Sequence, residues 1–124
     1  MFNNLSLNRN SFKKQYPFEK RFNESKRVLE QYTNKIPIIC EKSNSQYNLP
    51  EIDKIKYLVP IDFNVGQFIY IIRNRMKLRS EEALFLIIGN NIFSSSTMLG
   101  PLYDCYKDKD GFLYIQYCKE NTFG

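Results

Sequence analysis

Residues 55–77 read Ile55-Lys56-Tyr57-Leu58-Val59-Pro60-Ile61-Asp62-Phe63-Asn64-Val65-Gly66-Gln67-Phe68-Ile69-Tyr70-Ile71-Ile72-Arg73-Asn74-Arg75-Met76-Lys77, and their hydrophobic period changes midway. The first part, 55–61, is an apolar, β-rich run that reads as a strand. Proline donates no ladder hydrogen bond, so Pro60 ends this strand or places it at a sheet edge. Asn64 then offers an N-cap, and Val65, Phe68, Ile69, Ile72 and Met76 recur at helical spacing through residue 77. Arg73, Arg75, Lys77 and Arg79 crowd the far end, where cations suit the helix dipole.

Upstream, residues 36–40 (Ile36-Pro37-Ile38-Ile39-Cys40) form a short β-branched strand with Pro37 near its start. A polar stretch, 42–48, is closed by Leu49-Pro50. Residues 18–32 carry Phe18, Phe22, Ser25, Val28, Leu29 and Tyr32 on one helical face, with Pro17 at the helix start. Ser11 offers a cap to a short turn over 12–16, and residues 1–10 read as a mobile extension. Downstream, 83–88 is a six-residue apolar run suited to a buried strand, followed by a Gly89-Asn90-Asn91 turn. Ser96 or Thr97 is placed to cap a short helix through Met98, Leu102, Tyr103 and Tyr106. A charged turn at 107–111 and a last strand at 112–117 precede a polar, flexible tail, 120–124. The order helix, strand, strand, helix, strand, short helix, strand predicts an α+β fold. The pattern suggests a ubiquitin-like β-grasp: a four-stranded mixed sheet with helices on one face and an N-terminal helical extension at 11–32.

With 124 residues, 43% of them hydrophobic, the chain suits one globular domain, spanning 11–119. It contains no histidine, which removes Ser-His-Asp triads, Cys-His dyads and His-ligated zinc. Cys40, Cys105 and Cys118 are odd in number and lack CxxC spacing, so neither a metal site nor a disulfide framework is expected, and a reducing compartment is. No secretory segment or membrane span is read, nor any cluster of acid, base and nucleophile. The net charge of +5 is uneven: residues 80–124 hold three cations against six acids, whereas the preceding 79 hold fifteen against seven. That basic part suits nucleic acid, an anionic membrane or an acidic peptide, or is simply a solvated face. No base-stacking signature accompanies it, so nucleic acid is not expected.

Many short motifs occur in one order: Tyr16-Pro17-Phe18-Glu19-Lys20-Arg21, Lys35-Ile36-Pro37-Ile38-Ile39, Asp53-Lys54-Ile55-Lys56-Tyr57-Leu58-Val59-Pro60, Val65-Gly66-Gln67-Phe68, Ile72-Arg73-Asn74-Arg75, Ser96-Thr97-Met98, Leu102-Tyr103, Asp110-Gly111-Phe112-Leu113-Tyr114 and Phe123-Gly124. From residue 11 onward the chain resembles the autophagy-related protein 8 family, the ubiquitin-like modifiers that include microtubule-associated light chain 3 and the GABA-receptor-associated proteins.

The resemblance implies a modifier, not an enzyme, with no cofactor. It implies that Gly124 is joined to the amine of phosphatidylethanolamine by an E1-like activating enzyme and an E2-like conjugating enzyme. Nothing follows Gly124 in the sequence, so conjugation without prior trimming is the expectation. The resemblance further implies binding of aromatic-x-x-aliphatic motifs of adaptors or cargo receptors by strand addition at a sheet edge. Carried over by position, the aromatic pocket uses Glu24, Val28, Pro37, Ile39, Lys54, Lys56, Leu58 and Phe112. The aliphatic pocket uses Tyr57, Val59, Pro60, Phe63, Val65, Phe68, Ile71, Ile72 and Arg75. Val28, Ile39, Phe68 and Ile72 read first as core. Tyr57, Lys56 and Leu58 are the stronger candidates, because neighbouring strand residues face opposite ways and an edge leaves both faces reachable. Ile55 stands where relatives often carry a polar residue. The expected state is a cytoplasmic monomer that becomes anchored to an autophagosome-type membrane, or to the plastid outer membrane in a plastid-bearing parasite. An unconjugated peptide-binding scaffold of the same fold is the alternative.

Overall fold

The structure is a computed structural model that describes residues 11–44 and 49–119. The expected extension at 1–10, the tail at 120–124 and part of the polar loop lie outside the described residues. Among the described residues, four strands of four to eight residues and four helices follow one another along the chain. The N-terminal pair is α1 (Phe12–Gln15) and α2 (Phe18–Gln31). Strands β1 (Lys35–Lys42) and β2 (Lys56–Pro60) lead to α3 (Val65–Met76). Then come β3 (Phe85–Ile88), α4 (Leu99–Tyr106) and β4 (Leu113–Cys118).

Local chemistry sets most boundaries. Ser11 Oγ accepts from the Lys14 N–H, capping α1, and Pro17 precedes α2 with the fixed φ its ring imposes, −67°. Asn64 and Gln67 form a reciprocal capping box on α3, each side chain accepting from the other's backbone N–H at 2.8 Å. Lys77 ends α3 in the left-handed region, φ 58°. The expected cap on α4 is not made by Ser96 or Thr97. Their hydroxyls approach Ser94 instead, and the leading N–H groups of Leu99 and Gly100 donate to the carbonyls of Phe63 and Ile61. Backbone acceptors from the α3 approach have replaced a local side-chain cap.

The sheet order is β2-β1-β4-β3, with a parallel pair at the centre (Ile38 opposite Leu113) and an antiparallel pair on each side. Strand alternation divides its side chains between two faces. On one face Ile36, Ile38, Tyr57, Val59, Leu113 and Ile115 meet Val65, Phe68 and Ile72 of α3 and Leu99 and Leu102 of α4, forming the main core. On the other face Ile39 joins Phe112 and Phe12 of α1 in a second, smaller core. The N-terminal helical extension therefore covers the face opposite α3. Cys40 and Cys118 are buried and Cys105 exposed, all as free thiols.

Candidate functional site

Among the described residues, the edge strand β2 pairs only with β1. The Cys40 N–H donates to the Ile55 carbonyl at 2.8 Å, and the Ile61 N–H to the Asn34 carbonyl at 3.0 Å. Antiparallel ladders alternate bonded and non-bonded pairs. In this register Tyr57 and Val59 therefore bond inward to Ile38 and Ile36, whereas Lys56 and Leu58 turn their backbone N–H and C=O groups to the open edge. Pro60 belongs to the same outward set, so its missing donor leaves no hole in the ladder. Pro37 sits opposite Leu58, before pairing to β4 begins at Ile38, which explains a proline in an inner strand.

On the α2 side of this edge lie Lys56 and Leu58. Lys56 Nζ pairs with Glu24 Oε2 of α2 at 2.6 Å, and its ammonium stands over the Phe12 ring, 5.8 Å from the centroid. Glu24, Val28 and Leu58 are half-buried and Lys54 is exposed, while Pro37, Ile39 and Phe112 form a buried floor. Phe12 crosses Phe112 edge-on at 5.4 Å, and Ile55 packs against the same cluster. Phe12 and Ile55 therefore belong to this side although the family positions do not include them. Phe12 gave a sequence signal only as part of a short capped turn, and Ile55 only as an apolar departure from a polar position.

A buried polar network holds this floor. Arg21 Nη1 of α2 donates to Asp110 Oδ2 at 2.5 Å, as does the Tyr114 hydroxyl, and the Phe112 N–H donates to Asp110 Oδ1 at 2.9 Å. The Ser25 hydroxyl donates to the Asp110 carbonyl oxygen, which accounts for a serine on the apolar stripe of α2. Gly111 has φ +92°, and a Cβ there would lie 2.3 Å from Ser25 Oγ, so glycine alone suits this turn. Burial and the adjacent Asp110 push the Tyr114 phenol well above its ordinary pKa.

On the α3 side, Tyr57 and Val59 point into the main core. Tyr57 is 7% exposed, meets Phe68 edge-on at 5.4 Å and donates its hydroxyl to the Lys54 carbonyl. Burial pushes its phenol up to about 12. The expectation that an edge position leaves Tyr57 reachable does not hold for its ring, although it does for Lys56 and Leu58. Val59, Val65, Phe68 and Ile72 are likewise buried, whereas Pro60, Phe63 and Ile71 are half-buried and Arg75 is exposed. Arg75 Nε lies 3.1 Å from Asp53 Oδ1. A surface hollow of about 570 Å³ opens beside Phe63 and Ile71. The structure thus gathers the two residue sets onto opposite faces of an edge strand that, among the described residues, has one unpaired side. Gly124 lies outside the described residues. Among those described, no helix is long and apolar enough to cross a membrane.

The family model described as "Autophagy protein Atg8 ubiquitin like" matches residues 20–124. Autophagy-related protein 8 of Vanderwaltozyma polyspora is 50% identical over 116 residues, covering 94% of this chain and 98% of the relative. The protein of the same name from Saccharomyces cerevisiae is 48% identical with the same coverage. The crystal structure of Trypanosoma brucei ATG8 superposes with a TM-score of 0.84 at 40% identity, covering 94% of this chain and 99% of that one.

Proposed function

The chain belongs to the autophagy protein Atg8 family and has its ubiquitin-like fold, and from that premise we propose that it is a membrane-conjugated modifier and peptide adaptor, not an enzyme. The observation that carries the adaptor role is the β2 edge with partly exposed apolar side chains on each face, Val28 and Leu58 on one and Phe63 and Ile71 on the other. In an extended peptide, residues three apart point to opposite sides. An aromatic-x-x-aliphatic segment added to this edge would bond to the outward groups of Lys56 and Leu58. Its aromatic side chain would go to the α2 side and its aliphatic one to the α3 side.

The aromatic pocket is assigned to Glu24, Val28, Pro37, Ile39, Lys54, Lys56, Leu58 and Phe112, with Phe12 and Ile55 added. Pro60, Phe63, Ile71 and Arg75 form the accessible wall of the aliphatic pocket over a floor of Tyr57, Val59, Val65, Phe68 and Ile72. Lys56 and Arg75 already hold Glu24 and Asp53, so acidic residues flanking a peptide would exchange with these partners. The gain lies mainly in steering and register.

Conjugation is assigned to Gly124, joined through its carboxyl to the amine of phosphatidylethanolamine by E1-like and E2-like enzymes. A residue without a Cβ suits passage through a narrow catalytic channel. The modifier would be cytosol-facing before conjugation and held on an autophagosome-type or organelle membrane afterwards. Family membership and a match that runs to residue 124 support this reading. The test is in vitro conjugation on phosphatidylethanolamine liposomes with family E1-like and E2-like enzymes, comparing the native chain with Gly124→Ala. A gel shift and liposome flotation of the native chain alone are expected. No conjugate beside an active control modifier, with retained peptide binding, would make it an unconjugated scaffold.

A further inference from the structure

We propose that the hollow beside α3 is a subsite for a large, uncharged apolar side chain lying shortly after the aliphatic anchor of the bound peptide. This rests on the peptide-adaptor reading above. The hollow is continuous with the aliphatic side: Phe63 and Ile71 line both, and the hollow runs on past Gln67 and Tyr70 to Ser95 and Ser96. Its position also fits the direction of the peptide. The aromatic pocket lies at the Lys56–Leu58 end of β2 and the aliphatic pocket at the Pro60–Phe63 end, so a peptide reading aromatic-to-aliphatic runs parallel to β2. Its next residues leave the edge across Phe63 and Ile71. From Ile71 to Gln67 is one helical turn, about 5.4 Å, which roughly two extended residues span.

The chemistry of the hollow selects against charge. Among the described residues, no Lys, Arg, Asp or Glu lines it. A helix N-terminus often attracts carboxylates, but here the first donors of α3 are spent. The N–H groups of Val65 and Gly66 bond to the carbonyls of Thr97 and Ser95, and those of Gln67 and Phe68 to the Asn64 side chain and carbonyl. The apolar surface, by contrast, is abundant. Tyr70, which lines the hollow, is 67% exposed, and Met98, 40% exposed, bridges the backbone of Asn64, another lining residue. Exposed apolar side chains gathered at one place mark a contact surface. The subsite would therefore add specificity at a position after the motif, while the basic residues Lys54 and Lys56 favour acidic residues before it.

The test uses the full chain and fluorescence anisotropy with peptides that share an acidic flank, a tryptophan, two spacers and a leucine. One stops just after the leucine, one continues to a phenylalanine two residues on, which faces the same side as the leucine, and one carries glutamate at that place. The phenylalanine extension should tighten binding about 5-fold to 10-fold over the short peptide, and the glutamate extension should give no gain. Tyr70→Ala, at an exposed position, should erase the gain and leave the short peptide's affinity unchanged. Equal binding of the phenylalanine and glutamate extensions, or a gain that survives Tyr70→Ala, would overturn the subsite while leaving the edge site intact. Failure of all three peptides would overturn the adaptor reading and this subsite with it.

Discussion

Asp110 has no exposed surface, yet it carries an ion pair. Its partner Arg21 lies 89 positions earlier in the chain, and its other oxygen accepts the N–H of Phe112, a floor residue of the aromatic side. Removing one member of a buried pair leaves the other desolvated without its counter-charge. Asp110→Ala should therefore lower stability by about 3–5 kcal/mol, read as a shift of the denaturant midpoint. An unchanged midpoint would mean that α2 is held by apolar contacts alone. The residue types at this site were legible in the Asp110-Gly111-Phe112 motif, but the function of Ser25 and Arg21 was not. Both looked like ordinary members of a helix whose partner, a distant turn, only folding brings near.

At the scale of elements, β2 has two separable properties: an outward backbone N–H at Leu58 and an apolar side chain at the same residue. Leu58 makes no ladder bond to Pro37, so proline there spares the bonds to β1. Leu58→Ala should weaken an aromatic-x-x-aliphatic peptide by several-fold through lost pocket surface, while Leu58→Pro should weaken it by roughly 10-fold or more by removing a donor as well. Calorimetric titration of both variants, with circular dichroism to establish the fold, checks the difference. Equal losses would mean that the peptide does not extend the sheet. Pro60 announced the edge in the sequence because a missing donor is a local property. The direction of the Tyr57 ring was harder to read, since period-two alternation tells which residues share a face but not which face is covered.

For the whole molecule, the groups buried in the two cores set an alkaline limit. Burial pushes the phenol of Tyr57 up to about 12 and those of Tyr103 and Tyr114 upward, and raises the thiols of Cys40 and Cys118. Each group is neutral when protonated and its folded pKa lies above the unfolded one, so between the two values the folded state holds more protons. Stability is then full below the ordinary thiol range of about 8.5 and falls as pH rises past the ordinary phenol range of about 10. Denaturant midpoints measured from neutral pH upward should decline over that interval, with late phenolate absorbance coinciding with unfolding. A midpoint constant to about pH 12 would refute it. By itself, the sequence determined the element order, the fold class and the Pro60-marked edge, because hydrophobic period, caps and donor loss act over a few neighbouring residues. Only the tertiary structure decided that the N-terminal helices cover the face opposite α3, that Tyr57 is sealed in the core, and that Phe63, Tyr70 and Ser96 border one hollow. Those outcomes depend on contacts between segments far apart in the chain, where each residue's surroundings come from the global packing and not from its neighbours in sequence.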